Sequence, residues 1–406
     1  MTTTPKTSER PPVDVVVVGA GPAGALLAWL LAGKGLMVML LEKKSLPRSK
    51  PCGGGLTGRA LDLLPFPRHE FLDSSCLLAQ AALDGRPVYR LSDRDPIIGM
   101  VERDRFDHYL VQKAVAAGAL LREGVRLRSF HGRPGDLKIE TSTGIVRTRC
   151  LAGADGAQSR TAREMGLWGS RGFMAAIETE LEPYYENVAD QPAEFDFGVI
   201  PGGYGWIFPK RNSVSAGLCT YFLDSLLLES SFSAYLARRG IPEKNIGKIG
   251  RALIPCRTDF ATARFSSPFG LILGDAASLA DPITGEGLFF ALKQAHLAAP
   301  VIQDALENGP DRLQSYDRLV RDFFFRDLKS AQRLAFVLYR LPWISSWVLK
   351  NHGPRLGELF LDISRGRRGY ADIYGKMLGL SWLRPTRRWF RPRVKPQPPF
   401  SGESFL

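Results

Sequence analysis

The chain has 406 residues, 45% hydrophobic and 23% charged, which is ordinary globular composition with room for two or three domains and a sizeable core. Its formal charge of +13 is unevenly placed: residues 331–406 carry 14 Lys/Arg against 4 Asp/Glu and the first 330 carry 40 against 37, so the basic excess suits an anionic surface, nucleic acid or membrane headgroups, near the C-terminal end. Cys52, Cys76, Cys150, Cys219 and Cys256 are scattered without CxxC spacing, which argues against a zinc site or a disulfide framework and makes a reducing cytosol the default.

Residues 1–12, MTTTPKTSERPP, read as a disordered N-terminus. The apolar run from Val13 to Leu41 resembles a signal or a membrane span only until Asp14, Pro22, Lys34 and the glycines are counted against it. VDVVVVG (13–19) is predicted as a buried parallel strand, GAGPAG (19–24) as a glycine turn, ALLAWLLAGKG as a helix closing at Gly33/Gly35, and LMVMLLE (36–42) as a second strand ending in an acid. Gly19, Gly21 and Gly24 fit GxGxxG, and Glu42 follows about 20 residues later, the arrangement of a dinucleotide-binding unit. Glycines let backbone approach a pyrophosphate, the helix N-terminus faces its negative charge, and Glu42 accepts from ribose hydroxyls.

KPCGGGL (50–56) follows, then a mixed, Pro-rich stretch to about residue 100. Residues 101–118 read as an amphipathic helix beginning near Asp104, and 125–130, 137–141 and 144–150 alternate as strands do. From 173 to 265 the pattern is mostly strand-like. Within it GGYGWIFPK (202–210) puts Tyr204, Trp206 and Phe208 on one strand face, which is either plain core or an apolar binding surface. FGLILGDAASLADPITGEGLFFAL (269–292) gives strand, loop and helix; the remainder is helical to about 380 and ends in a basic, Pro-rich tail. There are no internal repeats and no convincing transmembrane helix: the best other candidate, Leu334 to Leu349, spans 16 residues and holds Arg340 and Pro342.

Three separated motifs, GxGxxG with its acid, GADG (153–156), and GDA (274–276) followed by DPITGEG (281–287), together resemble the flavoprotein fold of the p-hydroxybenzoate hydroxylase type. Within that group KPCGGGL and PGGYGWIFPK (201–210) resemble the geranylgeranyl reductase family, whose hallmark is PxxYxWxFP. The likeness runs in order over residues 13–300; the region beyond carries no family motif, and Ser278 stands where the family more often has a glycine beside the flavin. The resemblance implies an α/β fold. A Rossmann-like FAD-binding domain (13–75, 101–170 and 266–330) would be interrupted by a β-sheet substrate domain (76–100 and 171–265) and followed by a helical C-terminal region with a basic tail (331–406).

Carried onto this sequence, the resemblance implies that Gly19, Gly21, Ala23 and Gly24 hold the FAD pyrophosphate, with Glu42 and Lys43 at the adenosine ribose. Arg103 would contact the cofactor, Asp155 and Gly156 would shape the edge of its site, and Gly274 and Asp275 would bind its ribityl or pyrophosphate region. Pro282, Gly285, Glu286, Gly287 and Leu288 would run beside the isoalloxazine ring, approached on another side by Cys52, Gly53 and Gly54. Amides at a helix start over 285–288 suit the negative charge of the reduced ring. Tyr204, Trp206 and Phe208 would line a tunnel for a polyprenyl substrate.

The implied reaction saturates an isolated C=C by hydride from reduced flavin, with a proton from Cys52, Tyr204 or an ordered water; Cys52 could equally be a packing cysteine. No second GxGxxG unit offers a nicotinamide site, which leaves NAD(P)H or a reduced ferredoxin-like redox partner protein as electron donor. A flavin-dependent monooxygenase or halogenase on the same fold, and a non-enzymatic prenyl-binding protein, are the alternatives. KPCGGGL opposes a halogenase, and intact FAD motifs oppose the binding protein. WLRPTRRWFRPRVKP (382–396), with Tyr339, Trp343 and Trp347 on an amphipathic stretch, suggests a cytoplasmic protein peripheral to an anionic membrane rather than one bound to nucleic acid; a merely solvated basic tail is the other reading.

Overall fold

The structure, a computed structural model, describes residues 12–182 and 191–378; the expected disordered N-terminus and the basic tail of 382–396 lie outside the described residues. In chain order the elements begin β1 (Val13–Val18), α1 (Pro22–Ala32), β2 (Val38–Leu41), β3 (Gly55–Thr57), α2 (Gly58–Leu61), α3 (Arg68–Phe71), β4 (Ser74–Cys76), β5 (Leu78–Leu83), β6 (Arg86–Ser92) and β7 (Ile98–Met100). Then come α4 (Arg103–Ala116), β8 (Leu120–Arg122), β9 (Leu127–Arg133), β10 (Asp136–Thr141), β11 (Gly144–Gly153) and α5 (Arg160–Glu164). The middle supplies β12 (Arg171–Leu181), β13 (Ala193–Phe197), β14 (Gly203–Pro209), β15 (Val214–Thr220), α6 (Ser225–Arg238) and β16 (Gly250–Arg257). The chain closes with β17 (Ser266–Ser267), β18 (Gly270–Ile272), α7 (Leu288–Asn308), α8 (Ser315–Val320), α9 (Arg326–Arg340), α10 (Pro342–Ser364) and α11 (Tyr370–Leu378).

Among the described residues, the first sheet runs β17-β18-β11-β1-β2-β8, with β9 and β10 added beside β11. β1 pairs in parallel with both β11 and β2, so Val15 lies between Cys150 and Val38. Unbroken apolar runs are what a parallel strand covered on both faces requires, and these valines join α1, α4 and α7 in the largest core cluster. The second sheet runs β16-β12-β15-β14-β13-β5-β6 and is antiparallel except where β13 meets β5. A third, β3-β7-β4, links the two, so β7 at the end of 76–100 pairs with strands of the 13–75 segment instead of with β5 and β6.

Strand period sorts the second sheet into two cores. Tyr204, Trp206 and Phe208 share one face with Met174 and Ala176, whereas Ile177, Ile207 and Leu218 face α6 through Phe232, Tyr235 and Leu236. Lys210, just after β14, is buried and paired with Glu180 at 2.5 Å and Glu102 at 3.3 Å, and Ser213 Oγ lies 3.0 Å from an oxygen of each acid. Burial alone would lower the Lys210 pKa; the two carboxylates outweigh it and hold the ammonium charged. This clasp ties the second sheet to the start of α4.

The C-terminal helices close the first face of that sheet. α10 crosses β6, where a Cβ at Gly357 would lie 2.2 Å from the Tyr89 ring. The amphipathic stretch expected to carry Tyr339, Trp343 and Trp347 is not one continuous helix. α9 ends at Arg340, Leu341 is non-helical at φ −123° and ψ 66°, and Pro342 starts α10, so the four-residue spacing crosses a break. Tyr339 turns inward at 8% exposure, while Trp343 and Trp347 stand 72% and 51% exposed.

Candidate active site

A cavity lies between the two large sheets and is flanked by the C-terminal helices. One wall is the turn between β1 and α1. A Cβ at Gly24 would lie 2.0 Å from the Gly19 carbonyl oxygen, so only glycine lets α1 start this close to the strand. Gly21 caps α1 without a side-chain hydrogen bond and no acid stands in its first turn, which leaves the leading amides open to an anion.

Glu42 ends the β2 segment buried, its Oε2 accepting from the Ala20 N–H at 3.1 Å and paired with Arg48 at 3.2 Å, its Oε1 accepting from the Lys44 N–H at 3.1 Å. A carboxylate has about four acceptor positions, so capacity for a ribose hydroxyl remains. Arg48 continues to Asp107 at 3.1 Å, and Asp107 holds Arg103 through bonds of 2.9 and 3.0 Å. Burial would lower the Arg103 pKa, but Asp107 and the Cys52 sulfur outweigh it and raise it. Cys52 is half-buried and its sulfur accepts from the Gly54 N–H at 3.4 Å. The glycines after it fit against the second sheet: a Cβ at Gly53 would come within 2.9 Å of the Phe208 ring and 3.1 Å of Trp206 Nε1, and Gly54 holds φ +78°.

The loop 281–287 forms the floor. The fully buried Asp281 accepts from the Ile283 and Thr284 amides at 2.7 and 3.1 Å through Oδ1, and burial raises its pKa against the pull of Arg59 and those amides. Three tyrosines from three segments, one just after β15, one on α9 and one on β14, grip consecutive carbonyls: Tyr221 donates to Pro282 O at 2.6 Å, Tyr339 to Ile283 O and Tyr204 to Thr284 O. Glu286 is fixed by Thr57 and Arg59, each at 2.5 Å. So held, the loop delivers the start of α7, again with a glycine cap, Gly287, and no side-chain cap or first-turn acid. Two open helix N-termini therefore converge on one cavity. That donor set fits an anionic dinucleotide at α1 and an anionic ring edge at α7.

The opposite wall is aromatic. Phe195 contacts Tyr204, Phe208 and Phe360 with ring centroids 5.9, 5.2 and 5.5 Å apart, and Ile254, Ile363 and Tyr370 extend the surface. Such ring pairs contribute about 0.5–1.5 kcal/mol each beyond their area. Among the described residues, the one acid on this sheet wall of the cavity is Glu178, 9% exposed, whose pKa burial pushes up to about 7.

A family model described as an FAD binding domain matches residues 12–192. A digeranylgeranylglycerophospholipid reductase of Methanopyrus kandleri is 33% identical over 365 residues, covering 81% of this chain and 91% of that protein. The chain belongs to the geranylgeranyl reductase family. A crystal structure of a geranylgeranyl bacteriochlorophyll reductase-like protein from Thermoplasma acidophilum, 25% identical, superposes with TM-score 0.71 over 80% of this chain and 87% of that one. A flavin-dependent brominase at 19% identity and TM-score 0.72, covering 92% of this chain and 100% of its own, shows the shared fold alone. As a member of this family, the chain is an FAD-dependent oxidoreductase.

The structure places most of the residues that the reductase resemblance singles out around the cavity: Gly21 and Ala23, Cys52 to Gly54, Arg103, Gly156, Gly274, Asp275, Gly285 to Leu288, and the three aromatics of β14. Others stand behind it. Gly19, Gly24 and Glu42 shape the turn, Lys43 is exposed, and Pro282 offers its carbonyl to Tyr221. Asp155 does not face the cavity: its carboxylate accepts from the Arg160 and Thr161 amides at 2.8 and 3.0 Å and anchors α5. Tyr204 lines the wall, yet its hydroxyl is committed to the loop, and burial raises its pKa well above the usual value, so it is poorly placed to give up a proton. Sequence reasoning missed Arg48, Lys50 (3.1 Å from Asp275), Glu178 and the whole C-terminal contribution of Phe360, Ile363 and Tyr370. Ser278 adopts φ +59°, a left-handed conformation that explains why a glycine suits that position.

Proposed function

We propose that this chain is a reductase that saturates isolated C=C bonds of a geranylgeranyl or other polyprenyl chain. The observation that carries the reading is one cavity in which an aromatic and aliphatic wall faces two open helix N-termini. A prenyl chain offers methyl branches and π bonds but no hydrogen bonds, so its site must be long, apolar and selective by shape. Aromatic faces also suit transient positive charge on a prenyl carbon. Bound FAD supplies hydride when reduced. The α1 amides would hold its pyrophosphate, the α7 amides would face its ring, and the β14 aromatics would position the alkene and exclude water. Electrons come from NAD(P)H or a reduced ferredoxin-like partner. The test is anaerobic: pre-reduced enzyme is mixed with geranylgeranyl compounds, flavin reoxidation is followed by stopped flow, and products are weighed by mass spectrometry. Two hydrogens gained per turnover support the reading. Oxygen-dependent hydroxylation or halide incorporation without hydrogenated product would support the monooxygenase or halogenase alternative.

The substrate's home suggests docking at an anionic membrane. Among the described residues no helix is long and apolar enough to cross one. Support comes instead from exposed Trp343, Trp347 and Phe336, and from Arg340 lying 5.1 Å over the ring of Phe222 beside exposed Leu223 and Leu226. Removal of 382–406 lowers binding to anionic liposomes and spares flavin reduction by a soluble donor; unchanged liposome binding at low and moderate salt defeats the idea.

A further inference from the structure

The second sheet carries an acid where an apolar wall is expected. On β12 one strand face reads Met174 in the core, then Ala176 and Glu178 on the cavity. In register, Glu178 lies between Gly217 of β15 and Gly250 of β16, and Gly217 pairs in turn with Trp206 of β14. Paired residues in adjacent strands project to the same face, so this row runs glycine, acid, glycine, tryptophan across the wall. Neither glycine leaves an empty space. A Cβ at Gly217 would sit 2.1 Å from the Trp206 ring, and one at Gly250 would sit 2.8 Å from the Pro51 ring. The carboxyl is thus framed by indole on one side and a proline ring on the other.

Its polar surroundings are few. The Cys52 backbone N–H faces it, and Glu180 of the same strand, Lys210 just after β14 and Arg103 of α4 act on it through space. Oε2 has no hydrogen-bond partner among the described residues. A buried acid with one free oxygen aimed into a cavity is not a structural cap or clasp; Lys210 takes Glu180 and Glu102 as partners instead.

We infer that Glu178 is the proton donor of the reduction, its carboxylic acid delivering a proton to one carbon of the substrate double bond while the other carbon takes hydride. This rests on the reductase reading above. The balance is simple. The Glu178 O–H bond, the hydride-donating N–H bond of the reduced flavin and the substrate π bond would break, two C–H bonds would form, the flavin would lose two electrons as that hydride, and Glu178 would be left as a carboxylate that takes a proton back from solvent. The apolar frame keeps the acid protonated near neutrality, with a pKa of about 7, as an acid in the transfer must be.

The test compares wild type with Glu178→Gln and Glu178→Asp as flavin-loaded proteins. General acid catalysis contributes about 10²–10⁴-fold. Glu178→Gln is expected to keep its flavin content and slow reoxidation by a prenyl substrate at least about 100-fold, with Glu178→Asp between the two. Wild-type rates should fall as pH rises through about 7, and the residual rate of the glutamine variant should not. Independently of turnover, infrared difference spectra across pH 5–8 should show a protonated carboxylic acid titrating in wild type and absent in Glu178→Gln. A glutamine variant within threefold of wild type, or a Glu178 carboxyl ionised throughout that range, overturns the inference while leaving the reductase reading intact. A wild type that hydrogenates no prenyl compound removes both.

Discussion

The two walls of the cavity are made from different materials. The dinucleotide wall is mostly backbone: the turn after β1 and the starts of α1 and α7 present amides, and glycines let them come close. The opposite wall is side chain, assembled from β12, β13, β14 and β16 with α10 and α11, segments that lie far apart in the chain. A backbone wall recognises charge that any dinucleotide carries, whereas a side-chain wall recognises shape and can drift with substrate. Separating these roles by substitution is therefore the way to test the comparison.

The largest effect falls on the backbone wall. In Gly24→Val the new Cβ overlaps the Gly19 carbonyl, which cannot move without unseating β1 from β11. A cost above about 4 kcal/mol and loss of bound flavin are expected, read from denaturant unfolding and the flavin absorbance of purified protein. Flavin content equal to wild type would show that α1 can retreat from the strand. Trp206→Ala attacks the other wall. Burying less ring and leaving space over Gly217 costs about 3–5 kcal/mol, yet flavin should stay bound while reoxidation by prenyl substrate slows. If Trp206→Ala instead loses flavin at normal stability, the walls are not separable.

These two walls also differ in how far the sequence revealed them. GxGxxG with Glu42 is a local pattern, and every part of it lies within 24 residues of Gly19 (19 to 42), so the α1 wall was legible. What the pattern could not show is that Glu42 also carries Arg48, since that pairing depends on how the 43–50 loop folds back. On the side-chain wall the alternation of β14 was legible because a strand has period two, but Glu178 was not. Both parities of β12 hold apolar residues, Met174 and Ala176 on one and Ile177 and Leu181 on the other, so no rule of alternation says which face is the cavity. The inward turn of Tyr339 was hidden by a regular spacing that runs across a helix break. Pairings decided by tertiary register leave no local trace.

A third, smaller effect sharpens the side-chain wall through pH. Glu178 is shifted from its ordinary 4.5 to about 7 by burial. Above about pH 4.5 the unfolded chain gives up this proton, while the folded chain keeps it until about pH 7. Stability contributed at this site is therefore complete below pH 4.5 and is lost progressively as pH rises to 7. At about 1.4 kcal/mol per pKa unit the loss is on the order of 3 kcal/mol. Glu178→Gln should lack this dependence, so its stability relative to wild type should rise between pH 4.5 and 8. Parallel curves for the two proteins over that range would place an ionised carboxylate in the wall.

The smallest effect lies at the seam, where the side-chain wall holds the backbone wall in place. Tyr339, Tyr221 and Tyr204 each donate to one carbonyl of the loop that leads into α7. Tyr339→Phe keeps the ring and its contact with Tyr221, 5.9 Å between centroids, and deletes a single hydrogen bond. The Ile283 carbonyl then stays buried without that donor, costing about 1–3 kcal/mol as an unsatisfied group, toward the lower end because two neighbouring tyrosines still grip the loop. If the grip orients the α7 amides toward the flavin, the bound flavin's reduction potential and visible spectrum should shift in Tyr339→Phe, because those amides stabilise negative charge on the reduced ring. If the hydroxyl serves only packing of α9, stability falls by the same amount and neither potential nor spectrum moves. Measuring both on one sample separates the two roles, and a shift would mean that α9, which carries no motif, tunes the cofactor through the loop it holds.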